Sequence, residues 1–104
     1  MTRLAKSKIA RKEKSDLLYK AIMTLKTEEE CYRFFQDLCT ISELRSMEQR
    51  FEVAKLLSEG MIYTDILDKT GASSATISRV NRSLLGGTGG YENVLERLKE
   101  QGEE

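Results

Sequence analysis

A glycine between two short amphipathic segments constrains this chain more than any other feature. Gly71 lies inside the stretch of residues 63–84, and apolar residues recur on both sides of it at helical spacing. Because glycine adopts a positive φ at no steric cost, the chain can turn sharply there and bring both apolar faces into one core. The sequence predicts two helices joined by a tight turn. The predicted core residues are Ile66, Leu67, Ala72, Ile77 and Val80.

The outward face of the second helix differs from the rest of the chain. It has no Asp or Glu from Gly71 to Gly90, although 33% of all residues are charged. Short hydroxyl side chains and arginines contact base edges and phosphates, and a serine N-cap places a helix start where it could meet a phosphate. The residues left to face outward are Ser73 (the expected N-cap), Ser74, Thr76, Ser78, Arg79 and Arg82.

This pattern predicts a DNA-reading helix-turn-helix, with a plain helical hairpin as the alternative. Ser73, Ser74 and Thr76 are predicted to lie nearest the bases, with arginines behind them. Tyr63 and Thr64 begin the preceding helix, where contacts to the DNA backbone are expected.

The fold class predicted for the 104 residues is all-α, because proline is absent and helix-forming residues are plentiful. Three helices are expected before the helix-turn-helix and one after it, which gives six. The first covers residues 16–25, and capping boxes at Thr27 and Thr40 open the next two. The apolar positions expected inside the third helix are Leu44, Met47, Phe51, Ala54 and Leu57. Residues 86–90 are glycine-rich but lack the Lys-Ser/Thr of a phosphate loop, so a flexible joint is predicted there.

The formal net charge of zero hides an uneven distribution. Residues 1–14 form a basic arm that is either a solvated terminus or a segment lying along DNA phosphates. Residues 15–100 are expected to form the folded domain, and residues 101–104 an acidic tail. The two N-terminal helices carry more apolar surface than a small domain needs to cover. A homodimer is therefore predicted, which would present two reading helices to double-stranded DNA.

Other function classes find little support in the sequence. No apolar run reaches membrane-spanning length, and no signal peptide begins the chain, so a cytoplasmic protein without membrane association is expected. Cys31 and Cys39 are expected to be reduced thiols, since no histidine exists to complete a zinc site. The absence of histidine also removes the usual catalytic pairs. We therefore predict neither an enzyme nor a metal site.

At this point the residues carry a resemblance to a known family. Residues 40–45, 56–60 and 71–79 (TISELR, LLSEG and GASSATISR), with Arg50, Ser83 and Leu84, resemble the Trp repressor superfamily. Within it, the chain looks like the TrpR-related YerC/YecD proteins of Gram-positive bacteria. The resemblance spans residues 16–100 and implies a six-helix, intertwined homodimer that binds operator DNA as a transcriptional repressor.

The resemblance also implies positions for a co-repressor pocket. Arg50 corresponds to the family's arginine that stacks on the ligand, Thr40 to a threonine that helps to hold it, and Arg79 to the arginine that meets its carboxylate. Ser83 matches a further pocket serine. Thr40 has an alternative role as an N-cap, and both arginines could simply be paired or solvated.

One residue departs from the family pattern. Val80 stands where the family has a glycine that leaves room for the ligand's ring. A branched side chain forced into a packed ligand site costs about 1–3 kcal/mol, which is roughly ten- to a hundredfold in affinity. We therefore predict no cofactor and disfavour L-tryptophan or another small effector. The alternative to a DNA-binding repressor is a helix-turn-helix module that docks the transcription machinery.

Overall fold

The computed structural model describes residues 16–102, which form six α-helices and no β-strand. The predicted all-α class and helix count are confirmed. The chain divides between Thr40 and Ile41 into two compact units. The helices are α1 (residues 16–22), α2 (Glu28–Leu38), α3 (Ile41–Ser58), α4 (Tyr63–Thr70), α5 (Ser74–Gly86) and α6 (Gly90–Glu100). The predicted basic arm, residues 1–14, and the last two glutamates of the acidic tail lie outside the described residues.

In the first unit, α1 ends three residues earlier than predicted. The hydroxyl of Thr24 donates to the carbonyl oxygen of Ala21 at 2.6 Å, and the Thr24 amide bonds to the same carbonyl at 3.0 Å. The Leu25 amide also reaches back only three residues, to Ile22. These bonds tighten the chain into a turn, so Leu25 is outside the helix.

The capping box predicted for α2 is confirmed. Thr27 Oγ1 accepts the N–H of Glu30 at 3.0 Å, and the Glu30 carboxylate accepts the N–H of Lys26 at 2.8 Å. The carboxylate therefore reaches one residue beyond the N-cap. None of the residues of α2 is buried, and Cys31 and Cys39 are half-buried free thiols.

The second unit contains a small apolar core built on α3. This helix packs against α4, α5 and α6, while α4 and α5 also pack on each other. Leu57, Met61 and Tyr91 are partly buried and lie against this core. The buried residues are Val53, Ala54, Leu56, Ile66, Ala72, Ile77 and Val80.

Two parts of the predicted core require correction. Leu67 is 42% exposed, because α4 is only eight residues long and turns a narrow face, centred on Ile66, toward the core. In α3, Ala54 is buried as predicted, but Val53 and Leu56 complete the buried stripe. The other four predicted positions on α3 are only half-buried, because the stripe that meets α4 and α5 lies near the C-terminal end of α3.

Among the described residues, no helix combines the length and apolar character needed to span a membrane.

Candidate nucleic-acid interface

The turn between α4 and α5 has the conformation predicted from Gly71. This glycine has φ +74° and ψ 4°, in the left-handed region, and its N–H donates to the carbonyl of Leu67 at 2.9 Å. A residue with a Cβ is strained in that region, so the glycine permits the sharp turn. Ala72 follows it and is 1% exposed, which anchors the turn in the core.

Ser73 begins α5 as the predicted N-cap. Its Oγ accepts the N–H of Thr76 at 3.1 Å and lies 3.1 Å from the Thr76 hydroxyl oxygen. No acidic residue occurs in the first turn of α5. The start of this helix therefore keeps the partial positive charge of its free amide groups, because its own first turn supplies no carboxylate to neutralise it.

The two faces of α5 have different character. Ile77 and Val80 are buried in the core, at 0% and 2% exposure. On the other side lies a surface that we call the α5 polar face. Thr76 was also predicted to face outward, but it is half-buried beneath the Ser73 cap. The α5 polar face consists of Ser73, Ser74, Ser78, Arg79 and Arg82, all exposed.

The arginines of the α5 polar face have no acidic partner among the described residues. Three ion pairs occur in that part of the chain, joining Lys20 to Asp16, Arg33 to Glu29, and Lys55 to Glu59. Neither Arg79 nor Arg82 takes part in one. Within the described part of the chain, these two exposed positive charges therefore have no carboxylate paired with them. Tyr63 and Thr64 are also exposed, at the start of α4.

The residues assigned to a ligand site by family resemblance are in different environments. Thr40 is exposed and directly precedes α3, Arg50 is half-buried on α3, and Val80 belongs to the core. Ser83 lines an open depression of 610 Å³ together with Phe51 and Tyr91, whose ring centroids are 6.4 Å apart. Arg50, Arg79 and Val80 do not line this depression.

One polar contact at the turn was not predicted from the sequence. Gln49 on α3 donates from Nε2 to the carbonyl oxygen of Thr70, the last residue of α4, at 3.2 Å. The two residues are 21 positions apart, and no local pattern marks the glutamine as a turn contact. Within residues 16–102, no group of three or more Cys, Asp or Glu side chains is placed to hold a metal ion.

A tight glycine turn, a buried anchor and a capped second helix without acidic residues define an all-α protein of the helix-turn-helix class. The chain belongs to the Trp repressor family, described as Trp repressor protein, whose pattern matches residues 13–99. This confirms the resemblance drawn from the motifs of α3 and α5.

Three relatives place the chain within that family. The uncharacterised protein YerC of Bacillus subtilis is 56% identical over 85 residues, which are 82% of each chain. A solved TrpR-like protein from Eubacterium eligens is also 56% identical, with a TM-score of 0.81 over 84% of this chain and 90% of that one. A Staphylococcus aureus structure, solved as a candidate Trp repressor, is 44% identical with a TM-score of 0.83. It is matched over 95% of this chain and 96% of that one.

Proposed function

We propose that this protein is a sequence-specific DNA-binding regulator of transcription that represses from a palindromic operator as a homodimer. The observation that carries the proposal is the division of α5 into a buried face, with Ile77 and Val80, and an exposed polar face. The two arginines of the polar face have no acidic partner within residues 16–102. The core residues hold α5 in place, and its polar face stays accessible to a polyanion such as DNA. Membership of the Trp repressor family supports the same conclusion.

Each residue of the interface has an expected role. Ser73 and Ser74 lie on the first turn of α5 and contact base edges or the nearest phosphate, together with the free amides of that turn. Arg79 and Arg82 follow one and two turns later and reach bases or phosphates. Tyr63 and Thr64 contact the DNA backbone from the start of α4. Thr76 supports the cap and Ser78 adds a further hydroxyl group on the exposed surface.

A homodimer fits the large apolar side chains that the first unit exposes in a single chain. Leu17 is 76% exposed and Met23 is 82% exposed, and α2 buries none of its residues. Burial is worth roughly 25 cal/mol per Å² of apolar surface, so covering these residues with a second copy stabilises the assembly. A two-fold dimer also presents two α5 helices about 34 Å apart, which is one turn of DNA.

L-tryptophan is not the effector in this proposal, because Val80 fills the place that the family resemblance assigns to the ligand's ring. Its side chain is 2% exposed and packs with the core of the second unit. Calorimetric titration with L-tryptophan should therefore show no stoichiometric binding in the micromolar range. Val80→Gly should restore room for a ring and Val80→Ala should restore less. Micromolar binding to the unaltered protein would overturn this part of the proposal.

The experiment that tests DNA recognition compares arginines on different helices. Arg79→Ala and Arg82→Ala should each weaken binding to a selected duplex, by about 1–3 kcal/mol where a base contact is lost. Where a phosphate contact is lost, the slope of log affinity against log salt should fall by about one. Arg97→Ala is the matched control, because Arg97 is an exposed arginine on α6 without a described ion pair. Unchanged affinity in both α5 variants would refute this placement of the reading helix.

A second candidate function is a docking module for the transcription machinery. The observation that favours it is a groove of 320 Å³ between α3 and α6, in which Leu95 and Leu98 lie among charged side chains of both signs. These charged residues are Lys55, Glu59, Glu92, Glu96 and Lys99. Apolar residues among charges of both signs suit a partner protein more than DNA, whose phosphates require an excess of positive charge. If no DNA duplex is bound selectively, the property to measure is binding of a partner protein that depends on the glutamates of this groove.

A further inference from the structure

The turn between α4 and α5 is closed by two polar side chains in addition to Gly71. The hydroxyl of Thr70 donates to the carbonyl of Ile66 at 2.7 Å and accepts the N–H of Ala72 at 3.1 Å. Thr70 thus links the last turn of α4 to the residue that enters the core. The backbone carbonyl oxygen of Thr70 accepts a hydrogen bond from Nε2 of Gln49 at 3.2 Å.

These bonds satisfy groups that a helix end leaves open. The last four carbonyls of a helix lack partners within the helix, and the carbonyl of Thr70 is one of them. It receives its donor from α3, the helix that packs against α4, α5 and α6. Both Gln49 and Thr70 are half-buried, so water competes less with this bond than it does at an exposed helix end.

The position of this link matters because the α5 polar face begins three residues after Thr70. The turn holds α5 to the rest of the second unit through the buried Ala72 and through the Gln49–Thr70 bond. The first fixes the turn by packing, which is non-directional. The second is directional, and it fixes the angle at which the chain leaves α4 and enters α5.

We propose that Gln49 is a positioning residue for DNA reading: it locks the α4–α5 turn to α3 and so sets the orientation of Ser73, Ser74 and Arg79 toward the bases. The inference rests on the proposed function as a DNA-binding regulator. Gln49 lies on α3 and is not part of the α5 polar face. Its effect reaches DNA through Thr70 and the turn.

The expected loss of DNA affinity depends on the fraction of molecules in which the α4–α5 turn holds α5 in the orientation that binds DNA. If the loss of the bond lowers that population to about one fifth or one tenth, the specific affinity falls by the same five- to tenfold. Non-specific binding depends on phosphate contacts and tolerates many orientations, so it should change much less. A residue that only stabilises the fold would leave the ratio of specific to non-specific affinity unchanged at temperatures well below unfolding.

The first experiment measures this ratio in the full-length protein. Gln49→Met keeps the length of the side chain but removes the donor, and Gln49→Glu keeps its shape but offers an acceptor to a carbonyl oxygen. Both should lose about five- to tenfold in affinity for a selected duplex and less than twofold for a random duplex. Gln101→Met is the control, because Gln101 is exposed and its side chain makes no hydrogen bond within residues 16–102.

The second experiment follows the turn itself without DNA. Hydrogen exchange at the Ala72 amide should accelerate in Gln49→Met, and also in Thr70→Val, which removes the hydroxyl that accepts this amide. Unchanged exchange in Gln49→Met, or an unchanged ratio of specific to random affinity, would overturn the positioning role. If the unaltered protein binds no duplex selectively, the proposed function falls with it, whereas selective binding that survives both Gln49 variants removes only the role of Gln49.

Discussion

The two compact units of the chain use the same local signals but differ in what they bury. In the first unit, α2 has a complete capping box and an ion pair between Arg33 and Glu29 at 3.0 Å, yet none of its residues is buried. In the second unit, α4 lacks a side-chain cap, yet Ile66 is completely buried. Caps and ion pairs each contribute about 1 kcal/mol or less, so they decide where helices begin rather than what holds them together.

This difference indicates what each unit requires. The second unit has its own core, in which the turn residue Ala72 joins residues of α3, α4 and α5. The first unit has apolar side chains that stay in water in a single chain, among them Leu17, Met23 and Tyr32. Short helices are marginal without tertiary packing. In the proposed homodimer, a second copy supplies that packing to the first unit. The second unit, which carries the α5 polar face, already has its core within one chain.

The largest expected effect comes from removing the centre of the second unit. Ile66→Ala deletes buried side-chain atoms and leaves a cavity, so the free energy of unfolding should fall by about 2–5 kcal/mol. Leu67→Ala is the matched control, because Leu67 is the next residue on α4 and is 42% exposed. It should cost about 1 kcal/mol or less. Urea unfolding measures both changes, and equal costs would contradict the core described for this unit.

The next largest effect is expected in the dissociation constant of the proposed dimer and not in the stability of the core. Replacing both Leu17 and Met23 by Glu puts charges where the proposed partner would cover apolar surface. Each side chain contributes roughly 1.5–3 kcal/mol when buried, so the dissociation constant of the dimer should rise more than tenfold.

Sedimentation equilibrium measures this change, with Gln36→Glu as a control that alters an exposed polar residue of α2. If the double variant associates as tightly as the unaltered protein, these residues are not covered by a second copy.

A smaller loss of stability is expected from a substitution in the α4–α5 turn, and it should distinguish Gly71 from Gly86. Gly71→Ala places a Cβ on a residue with φ +74°, which should cost about 1–2 kcal/mol of stability. Gly86→Ala is a suitable control, because Gly86 ends α5 and a Cβ added there meets no atom within 4 Å. Alanine favours a helix more than glycine does, so this control should be neutral or slightly stabilising. Thermal unfolding of the two variants distinguishes them, and a tolerated Gly71→Ala would contradict the left-handed turn.

The smallest effect compares the two N-caps. Thr27→Ala and Ser73→Ala each remove a side-chain acceptor at a helix start, worth about 1 kcal/mol. If the first unit depends on association, Thr27→Ala should weaken the dimer by about fivefold, since 1 kcal/mol corresponds to that change in affinity. Ser73→Ala should lower the stability of the second unit and leave association unchanged. Sedimentation equilibrium over a range of protein concentrations measures association in both variants. Weaker association in Ser73→Ala and unchanged association in Thr27→Ala would contradict the roles given to the two units.

The parts of the fold that were predictable from sequence rest on local chemistry. Positive φ at Gly71, the Ser73 cap and the Thr27–Glu30 box depend on residues within four positions of each other, and all three are confirmed. Ile66, Ile77 and Val80 were also found from periodicity, since the pattern is strong in both helices around the turn.

The parts that were not predictable depend on neighbours distant in sequence. Leu67 fits the periodic pattern but stays 42% exposed, because only the packing of α4 on α3 decides which side of a short helix is covered. Gln49 carries no signal of its own, and its contact with Thr70 exists only once α3 and α4 are in place. The DNA-contacting roles of the α5 polar face stay a prediction.

The central claim is that this protein reads DNA as a two-fold dimer through α5. The most direct test is selection of bound duplexes from a random pool at moderate salt, with and without L-tryptophan. We predict that one two-fold symmetric motif is enriched in both arms, with half-sites about one helical turn apart. Enrichment only in the presence of tryptophan would contradict the role given to Val80, and the absence of any enriched motif in both arms would contradict the claim itself.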